Sequence, residues 1–208
     1  MRTLTREMQV HLSPEKAIQL LRDGNQRFVN NLKLSRNLLQ QVNETSDGQF
    51  PFAVILSCID SRTSAELIFD QGLGDIFSCR IAGNILNEDI LGSMEFACRI
   101  AGSKVIMILG HTKCGAVKGA CHGVKLGNLT ALLDKLRPAM DIALSEKAGL
   151  DTSDPEFMKD VGRLNVHHVM NEIPKHSPIL AEMLDNNEIA LIGGMYDVDT
   201  GKVTFYDK

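Results

Sequence analysis

Two short runs of unbroken apolar character, Phe52–Ser57 (FAVILS) and Lys104–Leu109 (KVIMIL), constrain this chain more than any other feature. A strand with one wet face alternates polar and apolar residues. These runs do not, so both read as strands buried on two sides. Helical patterns surround them. Ser13-Pro14-Glu15 reads as a helix start, with a capping Ser and a Pro where its missing N–H costs nothing. That helix is expected to run to about Leu32, with Ile18, Leu21, Phe28 and Val29 on or near one face. Residues 33–50 are polar and turn-rich and are expected to form an irregular connector. Further helices are expected at about Ser64–Phe69 and Asn87–Ile100, with two or three more across about Lys113–Asn186. Further strands are expected at about Asp75–Ile81 and Glu188–Ile192, and at Lys202–Tyr206 after a turn at Asp199-Thr200-Gly201.

Strands alternating with helices define an α/β fold. The expectation is a mostly parallel central sheet, about four parallel strands plus an antiparallel edge strand, flanked by helices and preceded by an N-terminal helical arm. In such sheets ligands bind at the carboxyl ends of the strands. The places to look are just after Ser57 and just after Leu109.

Composition removes several function classes. Lys and Arg number 22 against 26 Asp and Glu, a net charge of −4. A phosphate grip needs surplus cations, so no nucleic-acid partner is expected. No apolar run approaches the ~20 residues of a membrane span, so no membrane partner is expected either. The segment MRTLTREMQVHLSPE lacks the apolar stretch and small-residue cleavage site of an export signal. The expected location is cytoplasmic. The five cysteines, Cys58, Cys79, Cys98, Cys114 and Cys121, cannot all pair within one chain. Free thiols in a reducing compartment follow.

Chemistry-bearing residues stand where the fold argument points. Cys58-Ile59-Asp60-Ser61-Arg62 follows the first apolar run, and Gly110-His111-Thr112-Lys113-Cys114-Gly115 follows the second. If the two strands are neighbours, these segments meet at one edge of the sheet. In an extended segment Cys58, Asp60 and Arg62 face a common cavity. His111 and Cys114, three apart, lie side by side if they open a helical turn. A helix N-terminus also favours a thiolate. Two thiolates and one imidazole suit zinc, with three protein ligands and the fourth position open, as a catalytic zinc requires. Arg cannot deprotonate, so Asp60 and Arg62 read as an ion pair beside that position. If the pair broke, Asp60 itself would become a fourth ligand and close the site, a form favoured at lower pH.

Each residue also has a plain reading. A lone Cys after a strand is usually packing, and a lone His is more often a satisfied polar group than a ligand. Their coincidence at two strand ends is what points to a metal. Competing patterns are missing. A cysteine phosphatase loop needs Arg where Ser64 and Ala120 stand, and no G-x-x-x-x-G-K-[ST] occurs. Cys121-His122 and His167-His168 read as ordinary pairs, and Cys79 and Cys98 as core.

Taken in order, C-x-D-x-R (Cys58, Asp60, Arg62), R-x-A-G-N (Arg80, Ala82, Gly83, Asn84) and H-x-x-C-G (His111, Cys114, Gly115) resemble the signature of the β-class carbonic anhydrases. The resemblance runs from about Ser13 to Tyr206. It implies one domain over 1–208, with an N-terminal arm at 1–35 and a catalytic core at 50–208. It implies reversible hydration of carbon dioxide to bicarbonate and a proton, by attack of zinc-bound hydroxide. One Zn2+ per subunit would sit on Cys58, His111 and Cys114, with Asp60 and Arg62 as the catalytic dyad. Gln49 matches a position whose amide binds the substrate or anion. Phe77, Ala82 and Phe96 fall where a small apolar pocket is lined, and Gly115 joins the substrate-binding set. In the family the Gln and the aromatics reach across a subunit interface, which implies a homodimer or a dimer of dimers. Hydrolysis of CS2 or COS on the same zinc site, and a metal-free thiol enzyme, are the alternative readings. Ile55 stands where some bacterial members carry a Trp beside a regulatory bicarbonate. Arg80 fits the Arg of that site but reads as structural.

Overall fold

Capping side chains set the first two helices. Thr5 accepts from the Met8 N–H at the start of α1 (Arg6–Val10), and Ser13 accepts from Lys16 N–H at the start of α2 (Pro14–Val29). The computed structural model describes residues 3–146 and 151–206. The connector expected to be irregular contains a helix, α3 (Leu38–Glu44), capped by Asn37. Its apolar residues Leu38, Leu39 and Val42 are exposed, while Gln41 is buried and accepts from the Leu73 N–H. The helix is therefore polar toward the protein and apolar toward solvent, which hides it from a hydrophobicity pattern.

The elements that follow are β1 (Ala53–Ser57), α4 (Ala65–Ile68), β2 (Ile76–Arg80), α5 (Glu88–Glu95), β3 (Val105–His111), α6 (Gly115–Cys121), α7 (Gly127–Asp134), α8 (Arg137–Glu146), α9 (Pro155–His176), α10 (Pro178–Asp185), β4 (Ala190–Tyr196) and β5 (Val203–Tyr206). A π-helical turn, Phe96–Ile100, prolongs α5. Among the described residues, five helices rather than two or three lie between β3 and β4. Gly123 and Gly127, both at positive φ, separate α6 from α7. Ser177 caps α10 through the Leu180 N–H and, with Pro178 in the first turn, splits it from α9. Among the described residues no helix is long and apolar enough to cross a membrane.

The five strands form one sheet in the order β2-β1-β3-β4-β5. All neighbours are parallel except β4 with β5. Both apolar runs are central, and their side chains alternate between two cores. Ile55 and Met107 face α2 and α4 with Leu21, Ile68 and Phe69. Leu56 and Ile108 face α5, α9 and α10 with Met94, Val169 and Leu180. The chain passes from β1 to β2 on one side, then returns to β3 on the other. The crossover after β1 leaves toward β2 and the one after β3 leaves toward β4, and this divergence opens a crevice at the carboxyl ends of β1 and β3. A third apolar cluster, with Val117, Leu133, Leu136, Phe157 and Val161, packs under that crevice and includes Cys58 and Cys114.

Helix α2 lies hard against the end of α4. A Cβ at Gly24 would stand 1.8 Å from the Phe69 carbonyl oxygen. Next to it, Asn25 Nδ2 donates to the carbonyls of Ile68 and Gly201, and Oδ1 accepts from the Val203 N–H. Gly24→Ala sets a helix-propensity gain of about 1 kcal/mol against a clash with rigid backbone. The expected net result is destabilisation by about 1–3 kcal/mol, read as a lower thermal midpoint. An equal or higher midpoint would refute the close approach.

Candidate metal centre

The parallel register sets Ser57 opposite Leu109, so Cys58 follows beside the last residues of β3. His111 ends that strand. Lys113, at φ +56°, turns the chain so that Cys114 caps α6. His111 and Cys114 therefore approach across a tight turn rather than along one helical turn. Among the described residues one group of three metal-type donors converges, Cys58, His111 and Cys114, with ligand atoms within 4.8 Å of one another. The two sulfurs are 4.0 Å apart. All three residues are buried, at 4%, 3% and 7% exposure.

The imidazole is oriented toward this group. Its Nδ1 is 2.9 Å from the Thr112 carbonyl. A carbonyl only accepts, so Nδ1 carries the proton and Nε2 the lone pair. Nε2 is buried without a hydrogen-bond partner. A buried acceptor left unpaired is costly, whereas a cation at that point would satisfy it. Thr112 is itself fixed, its N–H donating to Tyr196 O and its Oγ1 accepting from the Val198 N–H. Two thiolates and this lone pair match a divalent cation in charge and in donor chemistry.

The sulfurs are supplied with N–H donors. Cys58 Sγ accepts from the Gly83 N–H at 3.3 Å and from the Asp60 backbone. The Ala116 and Val117 amides, in the first turn of α6, favour negative charge on Cys114. The two thiols share one proton. Hydrogen bonding from Cys114 holds Cys58 down at about 4. The hydrogen bond to Cys58, burial and the negative charge on Cys58 push Cys114 upward, against the pull of the helix amides. The other three cysteines go the opposite way from Cys58. Burial raises Cys79, pushes Cys98 up to about 12 and Cys121 up to about 11. All five are free.

The loop after Cys58 is a turn and not an extended segment. Thr63 N–H donates to Asp60 O, and Arg62 folds back onto Asp60. Arg62 Nε and Nη2 donate to the two carboxylate oxygens at 2.9 and 2.8 Å, and the Arg62 N–H adds a third bond at 3.0 Å. These bonds, the side-chain ones foremost, hold Asp60 well below the usual carboxylate range. The carboxylate is thus turned onto Arg62 and stands outside the three-donor group. Arg80 braces the same turn from β2, with Nε on the Cys58 carbonyl and Nη2 on the Asp60 carbonyl.

The residues expected to bind substrate are more dispersed. Gly115 is exposed at the start of α6, with no atom within 4 Å of where its Cβ would be. Ala82 is half-buried in the 3-10 turn Ala82–Asn84 after β2. Phe77 and Phe96 meet edge to face at 6.2 Å and line an open groove with Cys79, Glu88 and Gly92 that none of the three metal-type donors borders. Phe96 is 53% exposed. Gln49 is exposed ahead of β1. A separate cavity of about 540 Å³ opens beside His111 and Cys114, walled in part by Val117, Met158, Gly162 and Met195. Sequence reasoning passed over Asn165 of α9, whose Nδ2 donates to Gly83 O at 2.9 Å. A polar residue on the inward face of that helix was the available signal.

The carbonic anhydrase family model matches residues 53–203. Carbonic anhydrase 2 of Mycobacterium tuberculosis is 33% identical over 203 residues, covering 94% of each chain. The carbonic anhydrase of Mycolicibacterium smegmatis is 34% identical over 198 residues, covering 92% of each. Among solved structures, the β-carbonic anhydrase CcaA superposes with a TM-score of 0.74 at 26% identity, covering 91% of this chain and 95% of that one. The β-carbonic anhydrase CafA of Aspergillus fumigatus superposes with the same score and identity, covering 91% and 90%.

The shared proton has a measurable consequence in metal-free protein. Thiolate absorbance should report one thiolate per chain that titrates well below the ordinary thiol range, lost in Cys58→Ser. Stability follows with a definite sign. Cys58 lies below its ordinary value of 9.0, so its contribution is complete above that pH and is lost as the pH falls toward 4. Cys114 is raised, so its contribution is complete below 9.0 and is lost as the pH rises further. Urea midpoints should climb between those two pH values and decline beyond the upper one. A Cys58→Ser variant with an unaltered pH dependence would contradict the shared proton.

Proposed function

The chain belongs to the β-carbonic anhydrase family, and from that premise we propose that it catalyses the zinc-dependent, reversible hydration of carbon dioxide to bicarbonate and a proton. The observation that carries the reading is the buried convergence of two sulfurs and an imidazole, their ligand atoms within 4.8 Å of one another. Cys58 and Cys114, as thiolates, and His111, through Nε2, would hold one zinc ion per subunit. When bound, zinc supplies Lewis acidity that makes water a nucleophile at moderate pH.

The protein's own groups do the remainder. Asp60 is ionised and locked by Arg62, so it accepts a hydrogen bond from the attacking water and aims the oxygen lone pair at carbon dioxide. Arg62 keeps Asp60 in that state and turned away from the three residues that would hold the ion. Gly115 leaves room for substrate at the start of α6. The two thiolates cancel the charge of a divalent ion, so activity should rise further into the alkaline range than at a site of three neutral imidazoles.

We extend the proposal to assembly and location. Phe77, Phe96, Ala82 and Gln49 serve a site completed across a subunit interface, in a homodimer or a dimer of dimers. The exposed apolar residues Leu38, Leu39, Val42 and Phe96 supply surface for such a contact. The whole chain acts as one catalytic unit, with 50–208 as its core and 1–35 as its arm. Five free cysteines fit a reducing cytoplasm.

Metal analysis combined with stopped-flow carbon dioxide hydration across pH tests the proposal. The expected result is one zinc per chain and turnover that climbs with pH. A zinc-replete protein inert at every pH would defeat it. Cys58→Ser and Cys114→Ser should lose zinc and turnover together. Asp60→Asn should keep zinc and lose turnover by about 100-fold or more. Full turnover in that variant would remove Asp60 from the reaction.

A further inference from the structure

Gly83 is held at both ends. Its N–H donates to Cys58 Sγ at 3.3 Å, and its carbonyl accepts from Asn165 Nδ2 at 2.9 Å. Its φ of +70° is a left-handed conformation that only contacts can fix in one orientation. A Cβ at this position would also lie 3.2 Å from the Ala116 Cβ and 3.3 Å from Leu136, so the turn is pressed against α6 and the apolar cluster.

Asn165 is unusual in its place. It is 1% exposed, in the middle of α9, on a face otherwise made of Phe157, Val161, Leu164, Val166 and Val169. Asn is a poor helix residue, and its Oδ1 is buried without a partner. An apolar residue of similar size would serve the packing better. What Asn165 contributes in return is the donor to Gly83.

We infer that Asn165 is a positioning residue of the metal centre: through Gly83 it keeps an N–H on the Cys58 sulfur and so sets how much charge that sulfur donates to a bound metal. The inference rests on the metal reading proposed above. Its chemistry is that of an outer hydrogen bond to a ligand. An N–H on a thiolate withdraws electron density. Losing it makes the sulfur a stronger electron donor but leaves it less well oriented.

The test uses the full chain loaded with cobalt(II), comparing wild type with Asn165→Leu and Asn165→Ala. The readouts are the thiolate-to-cobalt charge-transfer band and the cobalt dissociation constant. In both variants the band should move to lower energy and the dissociation constant should rise about tenfold. Apo Asn165→Leu exchanges the unpaired Oδ1 for an unpaired Gly83 carbonyl, so its melting point should stay near that of wild type. A band and a dissociation constant unchanged in the variants overturn the inference, whatever the melting point. Wild-type protein that takes up cobalt without any such band overturns the metal reading and the inference with it. If Asn165→Leu does not fold, Asn165→Ala carries the same expectation and the same refutation.

Discussion

Parallel pairing of β1 with β3 decides where everything else can go. Each strand is buried on both faces, so neither can slip in register without exposing a core. The register holds Ser57 against Leu109, which fixes the height at which the chain emerges after each strand. Because the crossover after β1 leaves toward β2 and the one after β3 leaves toward β4, the two emerging loops diverge. The gap between them is where Cys58 and Cys114 come to within 4.0 Å. No local sequence signal links these two residues, 56 positions apart.

Bringing two sulfurs and an imidazole into a dry crevice raises an electrostatic cost that the surroundings are arranged to offset. Backbone amides of Gly83 and Asp60 reach Cys58, and those of Ala116 and Val117 reach Cys114. Arg80 grips the carbonyls of the Cys58–Asp60 turn, so the turn keeps its N–H groups facing inward. The same chain contains three further thiols whose surroundings do the reverse. Cys98 sits among Met94, Ile106 and Val169, where burial outweighs the pull of Lys104. Cysteine type is shared by all five positions, and what separates Cys58 is first the Cys114 thiol beside it and then the amides of Gly83 and Asp60.

The hydrophobic pattern made much of this fold legible, and its failures have identifiable causes. Continuous apolar runs marked the two central strands because burial on both faces leaves no polar position. Ser13 and Pro14 marked the start of α2 because capping is a local interaction. Helix α3 escaped because its inward residue is Gln41 and its outward ones are leucines. The division of the segment before β4 into α6 to α10 escaped because short helices there are set by tertiary packing more than by period. The alternation argument placed Cys58, Asp60 and Arg62 on one side, whereas the loop turns and Arg62 closes on its own neighbour.

By itself the sequence determined the order of the strands, the main helices between them and the positions of the donors at two strand ends. Those features depend on residues close together along the chain, through periodicity, caps and turns. Tertiary structure alone decided that the two strands are neighbours and that His111 Nε2 is the nitrogen without a hydrogen-bond partner, whereas the pairing of Asp60 with Arg62 was legible from the sequence. It also decided that Cys58 rather than Cys98 carries charge, and that Asn165 reaches Gly83 across 82 residues. Protonation and lone-pair direction are set by whatever groups lie within a few ångströms, and here those groups come from β1, β2, β3, α6 and α9.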